Sequence, residues 1–142
     1  MKKLLVINGP NINLLGLREP EIYGVRTYAD LLAYIREAAG EAGAEAVCFQ
    51  SNCEGAIVDE IQKARGAYCG IVINPAAYTH TSIAIPDALK AVGIPAVEVH
   101  LSDISSREEY RRHSYTTEAC VATIFGKGFE GYKQAIGLLM SL

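Results

Sequence analysis

Apolar and polar positions along this chain recur in a fixed order: a short hydrophobic run, a polar turn, then a segment with helical spacing. "KLLVIN" (3–8) reads as a first strand with lysines leading into it. In "TYADLLAYIREAAGEAG" (27–43) Leu31, Leu32 and Ile35 build an apolar stripe, Thr27 and Asp30 fit a capping box, and Gly43 suits the end. That combination predicts a helix. "AEAVCFQ" (44–50) follows as a strand and "EGAIVDEIQKARG" (54–66) as a second helix. "GIVINP" (70–75) is the third strand, and "SIAIPDALKAVG" (82–93) a helix with Pro86 in its first turns. "PAVEVHLS" (95–102) is a strand, followed by a short charged helix over "SREEYRRHS" (106–114). "ACVATIFG" (119–126) is the fifth strand and "GYKQAIGLLMSL" (131–142) the closing helix.

Five strands alternating with five helices predict a parallel sheet covered on both faces. Right-handed crossovers make this a doubly wound α/β fold, a flavodoxin-like three-layer sandwich with the strand order 2-1-3-4-5. No linker, repeat or low-complexity stretch interrupts the pattern, so one domain over 1–142 is expected.

Composition narrows the classes. Of 142 residues half are hydrophobic, enough for a substantial core. A net charge of −3 gives no support to a nucleic-acid partner. No apolar stretch approaches membrane-spanning length, and no signal peptide precedes "KKLLVING", so a cytoplasmic protein without a membrane partner is expected. Cys48, Cys53, Cys69 and Cys120 form no CxxC pair, and the three histidines show no zinc-ligand spacing. Cys48, Cys69 and Cys120 sit in or beside apolar runs and read as buried thiols. Cys53 follows Asn52 near a helix start, where a thiolate could be stabilised.

Ligands of such folds bind outside the carboxyl ends of the strands. Here those ends carry "NGPNIN", "QSN", "NPAAYTHTS", "EVHLSD" and "GKG". One such turn is ordinary turn and capping chemistry. Carboxamides, histidine and hydroxyls at four ends of one rim point instead to a polar small-molecule site. A phosphate-accepting receiver domain needs clustered carboxylates for magnesium, and the matching positions are Asn8 and Asn74. A Walker loop is absent. "GKGFEG" (126–131) matches G-x-G-x-x-G, but only eleven residues follow it, too few for a second βαβ half. It reads as a tight turn.

Between Gly16 and Gly24, "GLREPEIYG" places Arg18 and Tyr23 five residues apart around Glu19-Pro20. A phenol with a pKa near 10 costs about 4 kcal/mol to ionise at neutral pH. A guanidinium at about 4 Å returns a Coulomb energy of the same order at an effective dielectric near 20. The segment at about 16–25 is expected to act as a lid that carries a tyrosinate base. His100 ends strand four as a proton donor, with Glu98 as its orienting partner. Asn11 can hold a polarised water or an enolate oxygen. Arg107 and Arg111, four apart on the charged helix, share a face and suit an anionic substrate. The plain alternative for each arginine is an ion pair with Glu108 or Glu109, the better reading for Arg112. For Tyr23 it is a loop aromatic that covers the core. Taken together these groups suit elimination of water from a β-hydroxy ketone.

The segments "VINGPNINLLGLREPEIYG", "FQSNCEG", "INPAAYTHTSIAIPDAL" and "VEVHLSDISSREEYRRHSY" closely resemble the type II 3-dehydroquinate dehydratases, nearly end to end and in the same order. The resemblance implies anti-elimination of water from 3-dehydroquinate to 3-dehydroshikimate through an enolate, without metal, nucleotide or Schiff base. It implies Tyr23 as base, helped by Arg18 and Arg107, His100 as general acid and Asn11 as holder of the enolate's water. Asn74, His80 and Arg111 match substrate-hydroxyl contacts, and Leu101 and Ser102 the segment that holds the carboxylate. Glu98 belongs to the same substrate-binding set, and Asp87 matches a residue that reaches a neighbouring subunit's site. A homo-oligomer of trimers grouped into a dodecamer is implied as well.

Cys53, Ser105, Ser106 and Lys127 depart from the family pattern. Lys127 offers an amine at the end of strand five, but nothing around it looks built to desolvate it. The competing class is a non-catalytic flavodoxin-like module that binds a flavin or an anionic metabolite. The lack of tryptophan and of a phosphate-cradling loop weighs against it.

Overall fold

The computed structural model describes residues 1–17, 21 and 25–142. Its sheet has five parallel strands: β1 (Lys2–Asn8), β2 (Ala44–Gln50), β3 (Gly70–Asn74), β4 (Ala96–His100) and β5 (Ala122–Phe125). They lie in the order β2-β1-β3-β4-β5, the order expected of the flavodoxin-like fold. Register has a direct consequence for the rim. Asn8 stands opposite Gln50 on one side and Asn74 on the other, so three carboxamides end the three strands abreast.

Among the described residues four α-helices cover the sheet: α1 (Tyr28–Glu41), α2 (Glu54–Lys63), α3 (Ala84–Val92) and α4 (Glu130–Met140). Side-chain alternation along the strands divides the core in two. Leu4, Val6, Val72, Val97 and Val99 pack toward Leu31 and Ile35 of α1 and Tyr132 and Ile136 of α4. Leu5, Ile7, Ile71 and Ile73 pack toward Ile57 and Ile61 of α2 and Ile85 and Leu89 of α3. The result is the expected three-layer sandwich. The capping box at α1 is formed as predicted: the Thr27 N–H donates to Asp30 Oδ2 at 2.9 Å, and the Asp30 N–H to Thr27 Oγ1 at 3.2 Å. In "GKGFEG" a Cβ on Gly131 would stand 3.3 Å from Val99 Cγ1, so the glycine lets α4 approach the sheet closely. That is a packing role, in place of a dinucleotide fingerprint.

Two expectations need correction. Residues 106–114 are not an α-helix; the stretch after β4 makes separate 3-10 turns at Ile104–Ser106, Glu109–Arg111 and Thr116–Ala119. Local polar groups outcompete the helix here. Asp103 Oδ1 accepts from the Ser105 N–H and hydroxyl at 2.9 and 2.6 Å, and Arg107 adopts an extended backbone. Further on, the Tyr115 N–H donates to the Thr79 carbonyl at 2.8 Å, which ties the segment to the rim. The second correction is Cys69, which is exposed, its thiol 3.4 Å from the Lys3 carbonyl. It precedes β3 by one residue at the open amino end of the sheet. Cys48 and Cys120 are half-buried, and burial pushes their thiols up to about 11 and about 12, so neither is a thiolate at neutral pH.

Candidate active site

At the carboxyl rim the strand ends are stitched together before any ligand arrives. The Gly9 N–H donates to the Asn74 carbonyl at 2.8 Å, and the Ser51 N–H to the Asn8 carbonyl at 3.1 Å. The crossing is so close that a Cβ on Gly9 would meet the Pro75 carbonyl oxygen at 2.5 Å. The chain then turns through Asn11, which has a left-handed backbone with φ 70°. Asparagine tolerates that region better than most residues. Asn52 Oδ1 accepts the Asn11 N–H at 3.1 Å and Gln50 Nε2 at 3.2 Å, while Gln50 Nε2 also donates to the Gly9 carbonyl at 3.1 Å. The Tyr78 hydroxyl donates to the Asn52 carbonyl at 2.7 Å. The end of β2 thus fixes the turn that presents Asn11.

Across the rim, Glu98 and His100 lie two apart on β4 and so share a face, both buried. His100 Nε2 bonds Glu98 Oε2, an oxygen that also lies 2.7 Å from Thr79 Oγ1 and from Ser114 Oγ. Oε1 accepts from Thr117 Oγ1 at 2.7 Å and Thr123 Oγ1 at 3.2 Å. Burial raises the Glu98 carboxyl, but hydrogen bonding and charge from His100, then hydroxyls of Ser114 and Thr117, outweigh it and bring it down to about 2. Glu98 is therefore an anion hydrogen-bonded to the imidazole. With Nε2 committed, Nδ1 is the nitrogen left for a ligand.

His80 sits on the turn after β3, its Nδ1 2.7 Å from the His113 carbonyl. A carbonyl only accepts, so Nδ1 carries the proton. Burial holds the His80 pKa below its usual value, against the pull of the His113 carbonyl; charge on His100, Arg111 and Arg107 adds to the lowering. His80, His100, Arg107 and Arg111 line one cleft. Arg111 Nε is 3.3 Å from Glu108 Oε2, and its guanidinium lies 5.1 Å from the centre of the Tyr110 ring. Arg112 donates instead to the Arg107 carbonyl at 2.8 Å. Arg107 and Arg111 meet at the site through the 3-10 turns, since the helix face expected to align them does not form.

These groups enclose a cleft of about 220 Å³. Asn11, Asn74, His80, His100, Leu101, Ser102, Arg107 and Arg111 all line it. Glu98 does not; it stands behind His100. Asp87 is exposed in the first turn of α3 and away from the cleft. Lys127 is exposed and is no part of the lining either. Arg18 and Tyr23 lie outside the described residues, as does most of the proposed lid. Sequence reasoning missed the apolar wall of Ile12, Leu14, Leu15 and Ile104, and the hydroxyls of Thr79, Ser114, Thr117 and Thr123 around Glu98. The run "HSYTTE" is rich in hydroxyls before the last strand, which was the available signal. Among the described residues no three histidines, cysteines or carboxylates gather as a metal site, and no helix is long and apolar enough to cross a membrane.

Known proteins are similar to this chain in sequence and fold. The family described as Dehydroquinase class II matches residues 2–140. A 3-dehydroquinate dehydratase of Clostridium acetobutylicum is 54% identical over 140 residues, covering 99% of this chain and 97% of that protein. A catabolic 3-dehydroquinase of Verticillium alfalfae is 56% identical, covering 94% of this chain and 89% of its own. The crystal structure of a type II dehydroquinase from Butyrivibrio crossotus superposes with a TM-score of 0.95 at 50% identity, covering 97% of both chains. With the fold, the rim geometry and these relatives in agreement, this chain belongs to the class II dehydroquinase family.

Proposed function

We propose that this protein is a type II 3-dehydroquinate dehydratase, a hydro-lyase that converts 3-dehydroquinate to 3-dehydroshikimate. The observation that carries the reading is His100, backed by buried Glu98, lining the same cleft as Arg107, Arg111, His80 and Asn74. Tyr23, with Arg18 and Arg107 lowering the cost of its anion, removes a proton from the carbon beside the ketone. The electron pair passes to the carbonyl oxygen as an enolate, whose charge a water held by Asn11 stabilises. As the enolate collapses, the β-hydroxyl leaves with a proton from His100 Nδ1, and a conjugated enone remains.

Asn74, His80 and Arg111 take the ring hydroxyls, and Leu101 and Ser102 the carboxylate. The cationic side of the cleft suits that anion although the chain is net acidic. In this reading the chain is one cytoplasmic domain that serves either aromatic biosynthesis or quinate breakdown. It assembles from trimers into a dodecamer in which Asp87 reaches a neighbour. Exposed Ile83 near Asp87, exposed Val121 just before the edge strand β5 and exposed Phe125 at its end support such contacts.

The test is direct. Purified protein given 3-dehydroquinate should produce the rising ultraviolet absorbance of a conjugated enone, with chelator present or absent. Tyr23→Phe should abolish turnover and retain substrate binding. A near wild-type rate in that variant removes the proposed base, and no enone from the wild-type protein removes the reading.

A further inference from the structure

One fully buried phenol plays no part in this chemistry. Tyr132, on α4, points under the sheet's carboxyl rim, and its hydroxyl joins two strand ends. It donates to Asn8 Oδ1 of β1 at 2.7 Å and accepts from Asn74 Nδ2 of β3 at 3.0 Å. Asn74 Oδ1 in turn accepts the Ala76 N–H at 3.1 Å.

A backbone N–H can only donate, and that sets the sense of the whole chain. Ala76 N–H requires the oxygen of Asn74, which leaves the amide nitrogen toward Tyr132. The phenol must then accept from Asn74 and pass its own hydrogen to Asn8. Asn74 Nδ2 has two hydrogens, and one is taken by Tyr132. Its second N–H is the hydrogen left for the cleft that Asn74 lines. Ala76 itself has φ 53°, so the turn that aims this donor is unusual for a residue with a Cβ.

We propose that Tyr132 is a positioning residue that holds the Asn74 carboxamide with an N–H, and not its oxygen, toward the substrate. The cleft therefore selects an oxygen lone pair at that place: a substrate hydroxyl acts there as acceptor and spends its own hydrogen elsewhere. This rests on the dehydratase reading only for the identity of that oxygen.

Tyr132→Phe keeps the ring that fills the core and removes the hydroxyl. Asn74 then loses one of its two anchors and can rotate. Because Asn74 holds substrate away from the reacting bond, KM for 3-dehydroquinate should rise about tenfold with kcat changed less than threefold. Asn74→Asp is isosteric and still accepts the Ala76 N–H, but it offers the cleft lone pairs in place of a donor, so its KM should rise at least as far. The double variant Tyr132→Phe/Asn74→Asp should match Asn74→Asp alone, since both changes remove one interaction. An unchanged KM in Tyr132→Phe, or fully additive effects, overturns the proposal and leaves the dehydratase reading intact.

A spectroscopic readout needs neither turnover nor a variant. In wild-type protein one of the two Asn74 side-chain amide protons, the one held by the buried phenol, should exchange with water much more slowly by NMR than the other. Two protons that both exchange as fast as those of a free carboxamide overturn the proposal whatever the enzyme does with substrate, and one slow proton supports it even if Tyr132→Phe does not fold.

Discussion

His100 Nε2 and Glu98 Oε2 stand 2.5 Å apart on one face of β4, both closed off from water. Burial alone would neutralise such a carboxylate; His100 and the hydroxyls of Ser114 and Thr117 reverse that outcome, among five groups within hydrogen-bond distance of it. Two of them, the hydroxyls of Thr79 and Ser114, are also 2.6 Å from each other. Each has one hydrogen, so one hydroxyl can serve its neighbour while the other serves Glu98. The shell is built for an anion, and through it the imidazole keeps one nitrogen fixed.

Glu98→Gln tests that shell. A glutamine puts an N–H₂ where donors converge, and His100 loses its charged partner. We expect kcat to fall by about 10²-fold, the lower range for a general acid, with KM changed little. A variant with near wild-type kcat would contradict the orienting role.

The same carboxyl governs acid stability. Its folded pKa of about 2 lies below the ordinary 4.5, so the native state binds this proton more weakly than the unfolded chain. The stabilisation is complete above about 4.5 and is lost as pH falls through about 2; its size is on the order of 3 kcal/mol. Urea unfolding of wild-type protein should therefore weaken across that window, and Glu98→Gln should flatten the slope there. Equal slopes in the two proteins would contradict the assignment.

His80 should titrate below the ordinary histidine value of 6.5. A histidine held neutral by burial stabilises the fold above its unfolded pKa, and the gain declines as pH falls through 6.5 toward the folded value. NMR of the imidazole carbon-bound protons should give a midpoint under that of a free imidazole, with the proton on Nδ1 in the neutral form. A raised midpoint would mean that the nearby cations do not act on it.

Gly9→Ala should disturb fold and activity together. The added methyl would meet the Pro75 carbonyl carbon at 2.7 Å and its oxygen at 2.5 Å, both backbone atoms. Overpacking of this kind costs about 1–3 kcal/mol. The strain falls between the turns that carry Asn11 and Asn74, so thermal unfolding should move down and KM up. Wild-type values for both would show that the rim can yield.

Thr27→Ala supplies the contrast. It removes one half of the capping box at α1 and should cost about 1 kcal/mol of stability. Thr27 does not line the cleft, so kcat/KM per folded molecule should stay within twofold. A large catalytic loss measured below the melting range would mean that the start of α1 controls the site.

The order of apolar runs and helical stripes determined the five strands, their parallel sense and the two-sided cover, because those patterns act over a few residues and a parallel sheet tolerates few alternatives. It also placed His100, Asn74 and Asn11 at strand ends, and a rim collects strand ends whatever the details. The stretch after β4 was different. Its spacing suggested a helix with Arg107 and Arg111 on one face, whereas Asp103 and Ser105 bond each other locally, Ser114 and Tyr115 find partners that only the folded rim supplies, and 3-10 turns result. Nor does any local pattern reveal that Tyr132 reaches Asn8 across 124 positions of chain. Such bonds depend on which side chains the sheet register and helix packing bring within 3 Å, and tertiary structure alone decides that.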